Sequence, residues 1–293
     1  MKVLITGAGG QAADELRHTA PPRCELHCLT RRQLDITDQL AVNRAVAAVG
    51  PALIINAAAY TAVDQAEAEA KLAYAVNATG AGNLARAAAA GKARLLHIST
   101  DFVFAGDQAT PYRPTAPTGP LNIYGQSKLA GEMEVRGASN GQALIIRTGW
   151  LYGAQGHNFV KTMLRLLAER SELGVVCDQI GTPTWTRTLA QALWAAAQRP
   201  ELRGIYHWSD AGVASWYDFA VAIKEEGERL GLLGPTSAAI KPINSAAYPT
   251  PARRPPYSVR DKTASWQDFG LPPRHWRDGL RAMLKELKAC VNC

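Results

Sequence analysis

Three observations predict an α/β fold, a Rossmann-like doubly wound parallel sheet with a smaller C-terminal substrate-binding part. Short apolar runs alternate with helical stretches through the first 150 residues, the pattern of a parallel sheet covered on both faces. The chain opens on an apolar run that enters a glycine-rich turn, Lys2-Val3-Leu4-Ile5-Thr6-Gly7-Ala8-Gly9-Gly10. Further on, Tyr124-Gly125-Gln126-Ser127-Lys128 sets a phenol and an ammonium four residues apart, hence on one face of a helix.

Strands are expected at residues 2–6, 25–29, 53–57, 94–99 and 143–148. Each is short and apolar because a strand buried on both faces has no polar side to present. Helices are expected at 10–19, 38–49, 64–90 with a break, and 124–136. In the first turn, Gly7, Gly10, Gln11 and Ala12 supply small residues and backbone N–H groups where a dinucleotide pyrophosphate meets a helix N-terminus. Ala13 takes the third small position, where glycine is usual, and still permits tight helix–strand packing. The bland alternative is an ordinary glycine turn.

About twenty residues later, the end of the second strand reads the adenosine ribose. A carboxylate there would accept from the 2′-OH and disfavour a 2′-phosphate. Thr30-Arg31-Arg32 stand there instead, with no acid before Asp35. Two guanidiniums suit a 2′-phosphate through bidentate pairing; two solvated arginines are the alternative. Asn56-Ala57-Ala58-Ala59-Tyr60 closes the 53–57 strand with small residues that leave room for a cofactor.

Ser99-Thr100-Asp101 ends the 94–99 strand, at the sheet edge where ligands bind in open α/β folds. The Thr100 hydroxyl can hydrogen-bond a substrate carbonyl, and Asp101 can bind a sugar hydroxyl. Residues 109–120 carry four prolines and form a loop that is a candidate rim of the site. Tyr124 would protonate an oxygen that becomes an alcohol. A free phenol has a pKa of about 10, so Lys128 is expected to help by setting a positive charge near the phenolate. Lowering that pKa by ~2 units would take ~3 kcal/mol of preferential stabilisation.

Beyond Trp150 the pattern loosens. Helices are expected at 158–169, 186–198, 216–230 and 276–288, with short strands such as 204–208 between them. Residues 242–256 contain five prolines and read as an ordered loop. The expected division is a dinucleotide-binding domain over 1–150 and a mainly substrate-binding part over 151–293, with some segments returning to the first.

The 293 residues are 47% hydrophobic and 19% charged, within the range of globular proteins with a real core. No basic leader precedes a long apolar run, and no run is long enough to span a bilayer, so a cytoplasmic protein without a membrane partner is expected. The formal charge of +7 raises nucleic acid as a partner. The basic residues are scattered and no nucleic-acid-binding pattern is present, so none is expected; a mildly basic surface suits an anionic substrate. Five cysteines fit reduced thiols, and Cys290 with Cys293 forms a lone C-x-x-C without the two further ligands a zinc site needs.

These motifs resemble the extended short-chain dehydrogenase/reductase superfamily and, within it, the dTDP-4-dehydrorhamnose reductases. The resemblance covers nearly the whole chain. Besides the motifs above it rests on Thr61-Ala62-Val63-Asp64, Phe102-Val103-Phe104, Arg147-Thr148-Gly149-Trp150-Leu151-Tyr152-Gly153 and Asp178-Gln179-Ile180-Gly181-Thr182-Pro183-Thr184. Its last segments are Gly204-Ile205-Tyr206-His207 and Tyr248-Pro249-Thr250-Pro251-Ala252-Arg253-Arg254-Pro255.

The resemblance implies reduction of the C4 ketone of dTDP-4-dehydro-6-deoxy-L-mannose to dTDP-L-rhamnose by NADPH or NADH, for cell-surface polysaccharide. It implies Gly10, Gln11 and Ala12 at the pyrophosphate, Asp35 and Ile36 near the adenine, and Ala58, Ala59 and Tyr60 near the nicotinamide half. Thr100 and Asp101 would meet the sugar, Tyr124 and Lys128 would be the catalytic pair, and Trp150 would be a substrate wall. Arg253 and Arg254, in the proline-stiffened loop, are candidates for the sugar diphosphate. Phe102 stands where the family usually has Tyr, which keeps a ring there. Some relatives bind magnesium between protomers through glutamates. Glu15 would serve, but Thr186-Arg187 occupies the place of a second carboxylate, so no metal site is expected; a homodimer remains open. Two other functions share parts of this pattern: a nucleotide-sugar epimerase, and a non-enzymatic module like the regulatory subunit of methionine adenosyltransferase. The intact Tyr124–Lys128 pair argues against the latter.

Overall fold

The computed structural model describes residues 1–291. The first half alternates strand and helix: β1 (Lys2–Thr6), α1 (Gln11–His18), β2 (Glu25–Leu29), α2 (Gln39–Val49), β3 (Leu53–Asn56), α3 (Val63–Ala66), α4 (Ala70–Tyr74), α5 (Ala81–Ala90), β4 (Arg94–Thr100), α6 (Ile123–Ala138) and β5 (Leu144–Thr148). The second half adds β6 (Leu151–Tyr152), α7 (Phe159–Glu169), β7 (Glu172–Val176), β8 (Ile180–Gly181), β9 (Thr184–Trp185) and α8 (Thr186–Ala197). It continues with β10 (Gly204–His207), β11 (Ala214–Ser215), α9 (Trp216–Arg229), β12 (Ala239–Ile243), α10 (Thr263–Phe269) and α11 (Trp276–Val291).

The central sheet has the order β2-β1-β3-β4-β5-β10, and every pairing in it is parallel. The chain runs outward from β1 to β2 and then returns to β3 on the other side of β1. The loops after β1 and β3 therefore part and leave a crevice, the usual ligand position in such sheets. Register follows burial: Val3, Ile5, Leu53, Ile55, Leu96, Leu144 and Ile146 face a layer containing Leu16, Leu189, Leu193 and Phe269. Leu4, Ile54, Leu95 and Ile145 face Val42, Leu84 and Val135 on the opposite side. Each such aliphatic side chain, fully buried, contributes roughly 1.5–3 kcal/mol.

Three elements beyond residue 151 belong to this sheet and its layers: β10 extends it, and α8 and α10 pack on it. A second core lies among α7, α9 and α11, built on Tyr152, Val160, Leu167, Phe219, Ile223, Trp276, Leu280 and Leu284.

The expected 64–90 helix is broken into α3, α4 and α5, with a π-helical turn at Ala75–Gly80 joining the last two. The break has a polar cause. Asn77 is buried, accepts from the Tyr60 N–H (2.8 Å) and donates to the Tyr60 carbonyl (3.0 Å) and the Ser127 hydroxyl (3.0 Å). A one-residue widening of the helix brings this amide round to face the loop after β3. Such turns concentrate at functional sites.

Helix α6 begins at Asn122, whose side chain accepts from the Gly125 N–H (2.8 Å). Two of its three glycines, Gly125 and Gly131, have packing reasons that outweigh their helix cost of about 1 kcal/mol each. A Cβ at Gly125 would collide with the Phe102 carbonyl, and one at Gly131 with the Asn77 carbonyl. The Tyr124 helix thus lies unusually close to both the loop after β4 and the π turn. The Cys290–Cys293 pair noted in the sequence lies outside the residues whose side chains are described.

Candidate active site

A cavity of about 930 Å³ opens at the β1/β3 crevice and runs past the ends of β4 and β5 to α6 and α9. This is at the upper end of the roughly 300–1,000 Å³ of small-molecule sites. Gly7, Gly10, Gln11, Ala12, Arg31, Asp35, Ile36, Ala58, Ala59 and Tyr60 line one end; Thr100, Asp101, Tyr124, Lys128, Trp150 and Arg254 line the other. Arg32 and Arg253 do not line it, and both are exposed.

The dinucleotide end fits its expected occupant. Gly7 has φ +78°, a conformation that favours glycine, and a Cβ there would stand 2.7 Å from the Ala58 nitrogen. Helix α1 starts at Gly10 without a side-chain cap, which leaves its first N–H groups for an anion. The Asp35 carboxylate accepts from the Thr37 N–H (2.9 Å) and hydroxyl (2.8 Å), and these bonds hold its pKa below the usual carboxylate value. Asp35 is thus committed to its own turn, and Arg31 is the cation beside it that faces the cavity. Arg32, next along the turn closed by the Leu34 N–H to Thr30 carbonyl bond, does not line the cavity, so the structure brings only Arg31 of the expected pair to it.

The catalytic end is crowded with buried polar groups. Lys128 is 2% exposed and its ammonium donates to the Ile98 carbonyl at 2.7 Å. Burial brings its pKa down to about 8, against the opposing pull of Glu132. His97 is fully buried; burial, then Lys128, holds its pKa well below the ordinary value, so it is neutral. Tyr124 is pushed up to about 12: desolvation dominates, the hydrogen-bonded Thr100 hydroxyl opposes it, and the Asp101 charge adds to it. This corrects the expectation that Lys128 brings the phenol below 10. With its ammonium held at the Ile98 carbonyl, desolvation of the phenol wins. Phe102 packs edge-on against Tyr124, ring centroids 5.5 Å apart.

Two expected substrate contacts are already engaged. Asp101 is 1% exposed and lies 3.0 Å from the equally buried Arg260. Arg254 grips Asp64 with both terminal nitrogens, at 2.8 and 3.0 Å, and this lowers the Asp64 pKa. Arg253 contributes its carbonyl, not its side chain: Asn122 donates to it at 2.7 Å, tying the 242–256 loop to the start of α6.

Trp150 adopts φ +54°, a strained value for a bulky residue that costs on the order of 1–3 kcal/mol and is found where function demands it. Its ring stacks on Trp216 with centroids 3.6 Å apart, and a Cβ at Gly181 would meet it at 2.5 Å. Trp216 and His157 also line the cavity and were not singled out in the sequence. Gln11 donates to the His157 carbonyl and accepts from Asn158, closing the glycine turn onto the segment before α7. Only the family motif around Trp150 hinted at this region. Trp216, His157, Asn77 and Arg260 lie in stretches with no local signature.

Glu15 pairs with Arg187 at 2.9 Å, and Arg187 also pairs with Glu286. Among the described residues no cluster of three or more His, Cys, Asp or Glu side chains suits a metal ion. No described helix is long and apolar enough to cross a membrane.

A Rossmann-like sheet with a Thr–Tyr–Lys set at its carboxyl edge defines a short-chain-dehydrogenase-type oxidoreductase. The chain matches the family described as the RmlD substrate binding domain over residues 1–289. It is 46% identical to the dTDP-4-dehydrorhamnose reductase of Streptomyces griseus, covering 94% of this chain and 91% of that one. It is 43% identical to the spore coat polysaccharide biosynthesis protein SpsK of Bacillus subtilis, covering 99% of each. The structure superposes with TM-score 0.90 on the dTDP-4-dehydrorhamnose reductase of Bacillus anthracis solved with NADP, at 39% identity, covering 97% of this chain and 99% of that one. The chain belongs to the dTDP-4-dehydrorhamnose reductase family.

Proposed function

We propose that this protein reduces the C4 ketone of dTDP-4-dehydro-6-deoxy-L-mannose to dTDP-L-rhamnose with NADPH, in the cytoplasm, as a step toward rhamnose-containing polysaccharide. The observation that carries this reading is one continuous cavity, with the uncapped helix α1 at one end and Thr100, Tyr124 and Lys128 at the other. When bound, NADPH supplies the hydride. Gly7, Gly10, Gln11 and Ala12 would hold its pyrophosphate, Arg31 its 2′-phosphate, and Ala58, Ala59 and Tyr60 its nicotinamide half.

The Thr100 hydroxyl would turn its one proton from Asp101 Oδ1 to the ketone oxygen and orient the carbonyl. As C4 gains its new C–H bond, the carbonyl π pair moves onto oxygen, and Tyr124 donates its phenolic proton there. A phenol with a pKa near 12 is fully protonated at neutral pH and ready to give that proton. Lys128 then faces a phenolate, and the ion pair lowers the cost of forming it; solvent returns the proton. Trp150, stacked on Trp216, forms an apolar wall for the hexose, and Arg254 stands at the rim for the diphosphate.

Purified protein given dTDP-4-dehydrorhamnose made in situ should consume NADPH stoichiometrically, followed by absorbance. A tightly retained dinucleotide with no net NADPH consumption would point to an epimerase instead.

A further inference from the structure

Asp101 sits beside the proton donor, and its charge works against phenolate formation. What neutralises it is a residue from far along the chain. Arg260 is fully buried, and its Nη1 lies 3.0 Å from Asp101 Oδ2. Its backbone is clamped on both sides. The Tyr112 N–H bonds the Val259 carbonyl (2.9 Å), and the Asp261 N–H bonds the Tyr112 carbonyl (2.8 Å). The carboxylate is wedged against Gly149, where any Cβ would collide with it. Its other oxygen accepts from the Thr100 hydroxyl at 3.2 Å.

We infer that Arg260 is a positioning residue for proton delivery: by pairing with Asp101 it fixes that carboxylate and offsets its negative charge next to Tyr124. The inference rests on the assignment of Tyr124 as the proton donor. The electrostatics are explicit. Among the charged groups around the phenol, Asp101 comes from the end of β4 and Arg260 from the segment before α10. Lys128 and Glu132 come from α6 itself, and Arg254 with Asp64 from the rim. Glu132 is neutralised by Arg147 (2.7 Å), Asp64 by Arg254 and Asp101 by Arg260. These three carboxylates each have a guanidinium, and Glu67 accepts from the Ile123 N–H at the start of α6 (2.9 Å); Lys128 is the buried ammonium of that helix. The Asp101 charge already raises the Tyr124 pKa with Arg260 in place. Losing Arg260 exposes the phenol to the whole of it, in a site where screening by water is weak.

The test is the oxidative direction, dTDP-L-rhamnose with NADP, whose cationic ring would draw the phenol down from about 12, so that the rate rises with pH as Tyr124 becomes a base. Arg260→Met is expected to move that limb upward by a pH unit or more. It should also lower kcat tenfold or more, with the KM for the dinucleotide within twofold. Asp101→Asn/Arg260→Met, which removes both charges, is expected to bring the limb back to or below the wild-type position. A purely structural role for Arg260 would lower stability and leave the limb in place. If Arg260→Met does not fold, Arg260→Gln keeps a donor without the charge and is read the same way. A folded charge-removing variant with the wild-type limb, while Tyr124→Phe has lost turnover, overturns this inference alone. Wild-type turnover in Tyr124→Phe overturns both the assignment beneath it and the inference.

Discussion

The deep end of the cavity and its rim treat charge in opposite ways. At the deep end, Arg147–Glu132 and Arg260–Asp101 are at most 3% exposed, and each carboxylate is matched to one guanidinium. At the rim, Arg31 is exposed and Arg254 is anchored by Asp64, while Arg32 and Arg253, also exposed, lie off the cavity. A buried charge must have its partner inside the fold, because desolvation costs several kcal/mol per ion. A rim charge has water as its partner until a ligand arrives. Deep cations are therefore proposed to set geometry and acidity, and the rim cations Arg31 and Arg254 to read phosphates.

The sharpest way to break this contrast is at its centre. Tyr124→Phe should lose about 10²- to 10⁴-fold in turnover, the range of acid catalysis, while still binding NADPH by fluorescence titration. Near-normal turnover would empty the deep end of its catalytic role. Next, Arg147→Met strands Glu132 without its partner and should cost about 3–5 kcal/mol in denaturant unfolding, the penalty for breaking a buried pair. A loss under 1 kcal/mol would mean that water reaches this pair.

The pH dependence of stability separates two carboxylates. Burial raises Asp210 to about 6, against bonds from Thr188 and Trp185. A raised native pKa stabilises the fold below the unfolded value, and that stability is lost as pH rises through about 6. Stability should therefore fall by ~3 kcal/mol from this group between about pH 4 and 6. Asp64, lowered by Arg254, has the opposite sign: its contribution is present above the unfolded value and lost as pH falls. Asp210→Asn should flatten the pH 4–6 decline in Tm, and Asp64→Asn should leave it. An undiminished decline in Asp210→Asn would move its cause elsewhere.

Rim effects should be smaller and selective. Arg31→Ala should weaken NADPH about tenfold and NADH little, since one charge-assisted contact is worth about 1.5–3 kcal/mol. Arg32→Ala should change neither, and equal losses for the two cofactors in Arg31→Ala would rule out 2′-phosphate reading. Smallest of all, Arg254→Ala should raise the KM for the sugar nucleotide several-fold, with kcat little changed. Arg253→Ala should leave both as they are, because only its carbonyl is engaged. The reverse ranking of these two arginines would show that the 242–256 loop closes differently around substrate.

The sequence by itself determined the sheet strands, the glycine turn and the Tyr124–Lys128 face, because these depend on periods of two and 3.6 residues and on backbone freedom at Gly7. Local signals end where the chain folds back on itself. Nothing near residue 260 announces that Arg260 meets Asp101, or near residue 216 that Trp216 stacks on Trp150. Asn77 bends its helix for the sake of Tyr60, and the Ile98 carbonyl fixes the Lys128 ammonium. Arg31 and Arg32 are alike in sequence, and only the turn at Thr30 separates them. Burial, and with it the acidity of Tyr124, Lys128 and Asp210, is a property of what surrounds a group in three dimensions. Tertiary structure alone decides it, since desolvation depends on neighbours that a strand or helix pattern does not name.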